Sequence, residues 1–336
     1  MKLPHYISLL ALAENNLFSL FPHTLPLYSA ERNLQILLEV GGGMALLDNI
    51  MRRWTFKATR DLLVNRNQPA LIAFKAVWAD FFHLRHRHQS ELFHYLVETY
   101  GHADRAMHLG PFSLPIVDER DAKTFVLEFG DIIAPHLWPR RNCPWPGQEG
   151  PYEEFGVEVK PEDTVCDVGA NIGMFSVYAA SRGAHVYAFE PAPDALRYLN
   201  HAVQINKDIA GCIEVVPVAL MDRNGTVEMG NATANMGGTT AVLSKGNGPT
   251  LQVPCLTLDQ WAGEAGLRRV DFIKADIEGA ERNLLRGATD VLKRFRPHLS
   301  ICTYHLKDDP QVLEDIIKKA NPKYQVKHGP HKLYAR

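Results

Sequence analysis

The segment Thr164-Val-Cys-Asp-Val-Gly-Ala-Asn-Ile-Gly-Met-Phe175 constrains the fold of this 336-residue chain more than any other stretch. A short apolar run ends in an acid, a glycine-bearing turn follows, and the next residues can start a helix. That is the pattern of a strand, a tight turn and a helix N-terminus. Gly169 and Gly173 suit a turn whose backbone bends sharply or lies close to a ligand. A helix start also offers free backbone N–H groups to an anionic group.

The details of the turn separate two ligand classes. A dinucleotide fingerprint reads G-x-G-x-x-G, and its second glycine lets the backbone approach a pyrophosphate. Here Asn171 stands at that second position and Met174 at the third, with Gly173 one residue early. The loop is poor for a nicotinamide dinucleotide. A ligand with a carboxylate and an amine near the turn, and no phosphate, fits better; S-adenosylmethionine is such a ligand. Further on, His185-Val-Tyr-Ala-Phe-Glu190 reads as a second strand ending in an acid. Glu190 falls about 20 residues past the turn, where a doubly wound fold places the acid that grips ribose hydroxyls. Asp167 and Glu190 would then frame one crevice.

The composition is that of an ordinary globular chain, 46% hydrophobic and 22% charged, with a formal net charge of -2. It offers no basic field for nucleic acid or an anionic membrane. The five cysteines, Cys143, Cys166, Cys212, Cys255 and Cys302, are scattered and never in C-x-x-C spacing. They suggest neither a disulfide framework nor a zinc cluster, and reduced core thiols fit a cytoplasmic location. No apolar run reaches the roughly 18 residues of a membrane span. Ile7 to Ala13 is a short apolar run with Lys2 as its one basic flank, a poor export signal.

Residues 1–145 read as a mostly helical region, a cap or interaction layer through which the chain could form a homo-oligomer. Residues 146–336 read as the ligand-binding domain, after a run rich in proline and glycine. Within the first region, Ala70 to Tyr100 is expected as a long helix stopped by Gly101. Its His83, His86, His88 and His94, interleaved with Arg85 and Arg87, read as a solvated basic face rather than a metal site. Phe112 to Val117 and Thr124 to Leu127 read as short strands.

After Glu190 the pattern predicts a helix over Pro193 to Asn206 and a strand over Ile213 to Leu220. Strands at Gly225 to Glu228 and Leu251 to Leu258 flank a Gly/Asn/Thr-rich loop from Asn231 to Gly248, placed to act as a lid. A strand over Val270 to Asp276, a helix over Glu278 to Arg296, a strand over His298 to Tyr304 and a helix over Pro310 to Ala320 follow. Tyr324 to Val326 and Lys332 to Tyr334 would close the sheet as a hairpin. This alternation predicts an α/β fold: a doubly wound, mainly parallel, Rossmann-like sheet with helices on both faces.

Ligands in such sheets bind beyond the carboxyl ends of the strands. The residues expected there are Asp167 with Gly169, Asn171 and Gly173, then Glu190, Ala219 to Asp222, Asp276 with Glu278, and His305. Methyl transfer from a sulfonium is an in-line displacement in which the protein chiefly aligns three atoms. An alcohol nucleophile also needs a base, for which His305 is the first candidate. Asp276 and Glu278 could orient the hydroxyl, act as base, or hold a divalent cation. Glu281 reads as favourable charge in the first turn of a helix.

These stretches, Asp167-Val-Gly-Ala-Asn-Ile-Gly173, Phe189-Glu-Pro191, Val270-Asp-Phe-Ile-Lys-Ala-Asp-Ile-Glu-Gly-Ala-Glu281 and Ser300-Ile-Cys-Thr-Tyr-His305, resemble in kind and order those of FkbM-type methyltransferases. The resemblance covers about Tyr152 to Tyr334. It implies a class I, S-adenosylmethionine-dependent O-methyltransferase acting on saccharides or secondary metabolites. It assigns Asp167, Gly169, Asn171, Gly173 and Glu190 to the cofactor, and Ala219 is expected with them by its place on the same rim. Asp276, Glu278 and His305 would face the acceptor. Rival readings are a nicotinamide-dependent oxidoreductase, disfavoured by Asn171, and a non-catalytic scaffold with a relic fold, disfavoured by the retained acids.

Overall fold

Thirteen strands and seven α-helices are assigned among residues 93–133 (except 95, 99, 110 and 111), 151–231, 239–240 and 250–336, which the computed structural model describes. The export-like run at Ile7, the histidines from His83 to His88, Cys143 and the boundary at 145/146 lie outside the described residues.

The first described elements are helical residues at the end of the expected long helix. Gly101 stops it, and its N–H still reaches Val97 O at 2.8 Å. An antiparallel hairpin of β1 (Ala106–Leu109) and β2 (Phe112–Pro115) follows. Helix α1 (Ala122–Glu128) then runs into a π-helical turn, Phe129–Ile133. The expected strand over Thr124 to Leu127 is thus helical. Its β-branched and aromatic residues suggested a strand, but Phe125, Phe129 and Ile133 recur every four residues and are fully buried, which is helical periodicity.

The central sheet contains β3 (Thr164–Val168), β4 (His185–Phe189), β5 (Ile213–Val216), β10 (Phe272–Ala275), β11 (His298–Cys302), β12 (Val326–His328) and β13 (Lys332–Ala335), in the order β12-β13-β11-β10-β3-β4-β5. The five strands from β11 to β5 are parallel, and the terminal hairpin extends that edge, as expected, with β13 antiparallel to β11 and β12 antiparallel to β13. From β3 the chain proceeds outward through β4 and β5, then returns to place β10 on the other side of β3. The topological switch therefore lies between β3 and β10.

Alternation along the strands sends side chains to two cores. Val165 and Phe272 join Phe125, Phe129, Phe175, Tyr198 and Leu199 on one face, beneath α1, α2 (Met174–Ser181) and α3 (Pro193–Ile205). Cys166 and Ile273 join Trp261, Leu284, Leu292 and Leu313 on the other face. That face is covered by α4 (Leu258–Glu264), α5 (Glu281–Arg286), α6 (Thr289–Arg294) and α7 (Asp309–Ala320). Burial of each large apolar side chain contributes about 1.5–3 kcal/mol, so neither layer is dispensable. Trp261 sets its ring edge-on to Tyr187 and Phe189 at 4.8 and 4.7 Å.

Two expected elements are divided. The strand over Ile213 to Leu220 splits at Pro217, which has no N–H for a ladder. Beyond it, β6 (Ala219–Leu220) leaves for a second sheet with β7 (Gly225–Asn231), β8 (Thr239–Thr240) and β9 (Thr250–Leu256), in the order β6-β9-β7-β8. The short β8 lies inside the stretch expected to be loop. The helix over Glu278 to Arg296 is two helices, parted at Gly287. A Cβ there would lie 2.0 Å from Met221 O, so the backbones of the two segments are in contact.

Candidate active site

The turn after β3 is shaped by three residues with positive φ: Gly169 at 75°, Asn171 at 49° and Gly173 at 88°. Its N–H groups bond back to the end of β4. Gly169 and Ala170 both donate to Phe189 O at 3.0 Å, and Asn171 N donates to Glu190 Oε2 at 2.9 Å. The second oxygen of Glu190 accepts from Ala192 N at 2.8 Å. Burial raises the Glu190 pKa, and these two N–H groups work against that rise. The glycines answer to packing. A Cβ on Gly169 would lie 2.0 Å from Asp276 O, and one on Gly173 would lie 2.8 Å from Leu199 Cδ1.

Asp167 is fully buried. Its Oδ2 accepts from Ser176 Oγ at 2.6 Å, and its Oδ1 pairs with Lys274 Nζ at 3.1 Å. Lys274 lies directly across from Asp167 in the parallel register and also donates to Gly169 O at 2.6 Å. Burial alone would lower the Lys274 pKa, but the charges of Asp167, Asp276 and Glu128 raise it above the ordinary lysine value. One buried ion pair thus ties the turn to the neighbouring strand. Ala219 is buried in the core of the second sheet with Met221, Val227 and Ala280.

The turn after β10 has a different make-up. Asp276 N still donates to Val168 O at 3.1 Å, so this turn begins against β3. Glu278 has φ 53° and Gly279 has φ 96°, and the helix starts only at Glu281. A glutamate held in the left-handed region costs on the order of 1 kcal/mol or more, so the fold here enforces a strained backbone. Three carboxylates converge on His305. Glu281 Oε1 is 3.1 Å from Nδ1, and Glu278 Oε2 and Asp276 Oδ1 are 3.5 and 3.8 Å from Nε2. The His305 side chain is 4% exposed, against 22% for Asp276 and 34% for Glu278. Burial by itself would lower the His305 pKa. The bond to Glu281 and the three negative charges outweigh it and raise the value to about 9. At neutral pH this histidine is an imidazolium. Glu281, expected as simple first-turn charge, is fully buried and also caps Ile277 N at 2.9 Å. Donor atoms of Asp276, Glu281 and His305 lie within 4.8 Å of one another, a spacing that a cation could also bridge.

Asp276 joins the two halves. Tyr152 O–H donates to its Oδ2 at 2.8 Å and Tyr304 O–H to its Oδ1 at 3.3 Å. The Tyr152 ring lies between two ammonium groups, Lys332 Nζ at 4.3 Å and Lys274 Nζ at 5.4 Å from its centroid. Burial would raise the Asp276 pKa, but Lys274, His305, Lys332 and the Tyr152 bond together lower it. Tyr304 is 40% exposed, with its ring 4.1 Å from His305.

The structure brings Asp167, Gly169, Asn171, Gly173 and Glu190 to one turn, and Asp276, Glu278 and His305 to the next. Sequence reasoning missed Glu128, Tyr152, Lys274, Glu281, Tyr304 and Lys332 as site residues. Lys274 had a readable signal, a charge in an apolar run one position before the end of a strand. Tyr152 and Lys332 come from distant segments and had none.

Residues 167–324 match the model of the methyltransferase FkbM domain. This stretch, just under half of the chain, is similar to FkbM methyltransferases. The chain is 30% identical over 168 residues to the 31-O-demethyl-FK506 methyltransferase FkbM of Streptomyces tacrolimicus, covering 41% of this chain and 64% of that one. It is 26% identical over 164 residues to the hexuronic acid methyltransferase AglP of Haloferax volcanii, covering 48% and 64%. The chain thus spans just under two thirds of the length of these relatives. A solved FkbM methyltransferase of Methylobacillus flagellatus KT is 22% identical, with 66% of this chain and 56% of that one covered and a TM-score of 0.44. Both turns, β4 to β11 and α7 fall within the FkbM stretch, which begins inside β3 at Asp167, whereas Glu128, Tyr152 and Lys332 flank it. Among the described residues, no helix is long and apolar enough to cross a membrane.

Proposed function

We propose that this chain is an S-adenosylmethionine-dependent O-methyltransferase acting on a hydroxyl group of a saccharide or secondary metabolite. The observation that carries the reading is the contact of the two turns, Gly169 against Asp276, at the switch point of the sheet. Such a switch point opens a ligand crevice at the carboxyl ends of the strands. Glu190, on the β4 side, has unused lone pairs that would accept from ribose hydroxyls. Asn171 and the backbone of the turn would meet the methionine end. Asp167 holds the turn in shape through Ser176 and Lys274 rather than touching the ligand. The relatives that methylate an FK506 derivative and a hexuronic acid support an oxygen acceptor.

On the acceptor side, Asp276 and Glu278 would receive hydrogen bonds from a substrate hydroxyl. One of them, with Glu278 the more open, would take its proton as the oxygen attacks the methyl carbon. His305 carries a proton already, so its part is to balance and orient the carboxylates. A divalent cation at the same three residues would compete with that proton, so turnover is expected to survive a chelator. The exposed Tyr304 ring offers a flat apolar surface beside these acids, as a sugar ring needs. The buried free thiols Cys166, Cys255 and Cys302 fit a reducing cytoplasm.

The test is incubation with S-adenosylmethionine and a panel of saccharides, uronic acids and hydroxylated metabolites, read by mass spectrometry. Transfer to oxygen, with S-adenosylhomocysteine formed in equal amount, is expected. Bound cofactor with transfer only to nitrogen or carbon acceptors would overturn the O-methyltransferase assignment.

A further inference from the structure

Glu128 closes α1, well ahead of the stretch that matches the FkbM domain, yet its side chain reaches the turn after β3. Asn171 donates its side-chain N–H to Glu128 Oε1. With Nδ2 committed to that carboxyl, Asn171 Oδ1 is buried and accepts no hydrogen bond among the described residues. The surroundings of Glu128 are charged on every side. Lys274 belongs to β10, Asp276 to the turn after it, and Asp167 to β3. Lys274 bonds to Asp167 and to Gly169 O, and its charge offsets only part of the effect of burial on Glu128.

The element that carries Glu128 is firmly anchored. Phe125, Phe129 and Ile133 are fully buried in the same core as Phe175 and Val177 of α2. The change from α to π winding falls immediately after Glu128, and such π turns are frequent at functional sites. The residue keeps some surface exposure, but its carboxyl is enclosed by protein. Burial raises its pKa first, the charges of Asp276 and Asp167 add to the rise, and Lys274 and Asn171 oppose it. The result is about 8. A neutral acid and a buried acceptor without a donor thus stand side by side at the cofactor turn.

We propose that Glu128 and Asn171 Oδ1 form the subsite for the α-ammonium group of the cofactor's methionine end. This rests on the S-adenosylmethionine reading above. An ammonium has a positive charge and three N–H donors. The charge would meet the Glu128 carboxylate and one N–H would meet Asn171 Oδ1. Arrival of the cation makes ionisation of Glu128 favourable, and its proton leaves to solvent. A segment outside the FkbM domain therefore completes the cofactor pocket.

Titration calorimetry on the full chain tests this with three ligands. S-adenosylmethionine and S-adenosylhomocysteine both carry the ammonium; 5′-methylthioadenosine has the adenosine end without the amino acid. Glu128→Gln is expected to weaken the first two at least ~10-fold, about 1.4 kcal/mol, and the third by less than about twofold. Binding of S-adenosylmethionine to the wild type at pH 7, compared in two buffers of different ionisation enthalpy, should release close to one proton. The Gln variant should release markedly less. Unchanged affinities, or equal weakening of all three ligands, would overturn the proposal. The wild-type proton count does not depend on the variant folding, and no proton released would also overturn it. A wild type that binds none of the three would instead remove the cofactor reading on which the proposal stands.

Discussion

The turn after β3 and the turn after β10 leave neighbouring parallel strands and touch back to back, but they handle charge in opposite ways. At the first, both acids are held by their own framework: Asp167 by Ser176 and Lys274, Glu190 by two backbone N–H groups. At the second, Asp276, Glu278 and Glu281 gather on one histidine, and two of the three keep a path to solvent. The first turn is a cradle held in shape before any ligand arrives, with Asn171 Oδ1 left as its open acceptor. The second stores negative charge, held together by an imidazolium and by Lys274 and Lys332. A methyl donor that is already electrophilic needs position, and an alcohol needs a proton acceptor, so the two turns match the two substrates proposed above.

Four substitutions or titrations would break or sharpen this contrast. The largest effect is expected from Gly169→Ala. Its Cβ would meet Asp276 O and demand a left-handed backbone, so the turns must part. A loss on the order of 3–5 kcal/mol is expected from strain and overpacking together, read by chemical denaturation. A variant of near wild-type stability would show that the contact between the turns is loose. Next comes Asp276→Asn, which keeps the shape but removes the charge proposed to orient the acceptor. Turnover should fall by about 10²- to 10⁴-fold, measured as methyl transfer to whichever acceptor the panel identifies.

The third effect concerns pH. The folded His305 pKa of about 9 is above its ordinary 6.5, so the native state holds the extra proton in that window. Its stabilisation is full below about pH 6.5 and is lost as pH rises through 9. Glu128 acts with the same sign between its ordinary 4.5 and about 8. Thermal or denaturant stability should decline by on the order of 2–3 kcal/mol from His305 across this range. His305→Gln should flatten the upper part of the decline. Turnover should fall above pH 9; a rise there would return His305 to the role of general base. The smallest effect is Glu190→Ala, expected to weaken S-adenosylmethionine binding by about 1–3 kcal/mol without affecting the acceptor turn. Full affinity in that variant would remove the ribose role.

Much of this arrangement was legible in the sequence. The glycine turn, the two strand-end acids and the alternation of strands and helices gave the sheet and both rims, because periodicity and turn chemistry are local. The breaks were harder to read. Pro217 divides one expected strand, and Gly287 divides one expected helix because Met221 O presses on it from another segment. Helix α1 was read as a strand because its aromatic and β-branched residues outweighed their four-residue spacing. The site was legible where one motif carries it, as at Asp276 and Glu278. It was not where residues from outside the motif converge, since Glu128, Tyr152 and Lys332 reach it only through tertiary packing. The protonated state of His305 also depends on three carboxylates that only the fold assembles.

The division of labour between the turns is tested most directly by titrating S-adenosylmethionine into the wild type and into Asp276→Asn by calorimetry. One molecule should bind per chain in both, with affinities within about threefold, about 0.7 kcal/mol, while methyl transfer is lost only in the variant. No binding by the folded wild type, or binding that disappears with the Asp276 charge, would contradict a cradle that is complete without the acceptor turn.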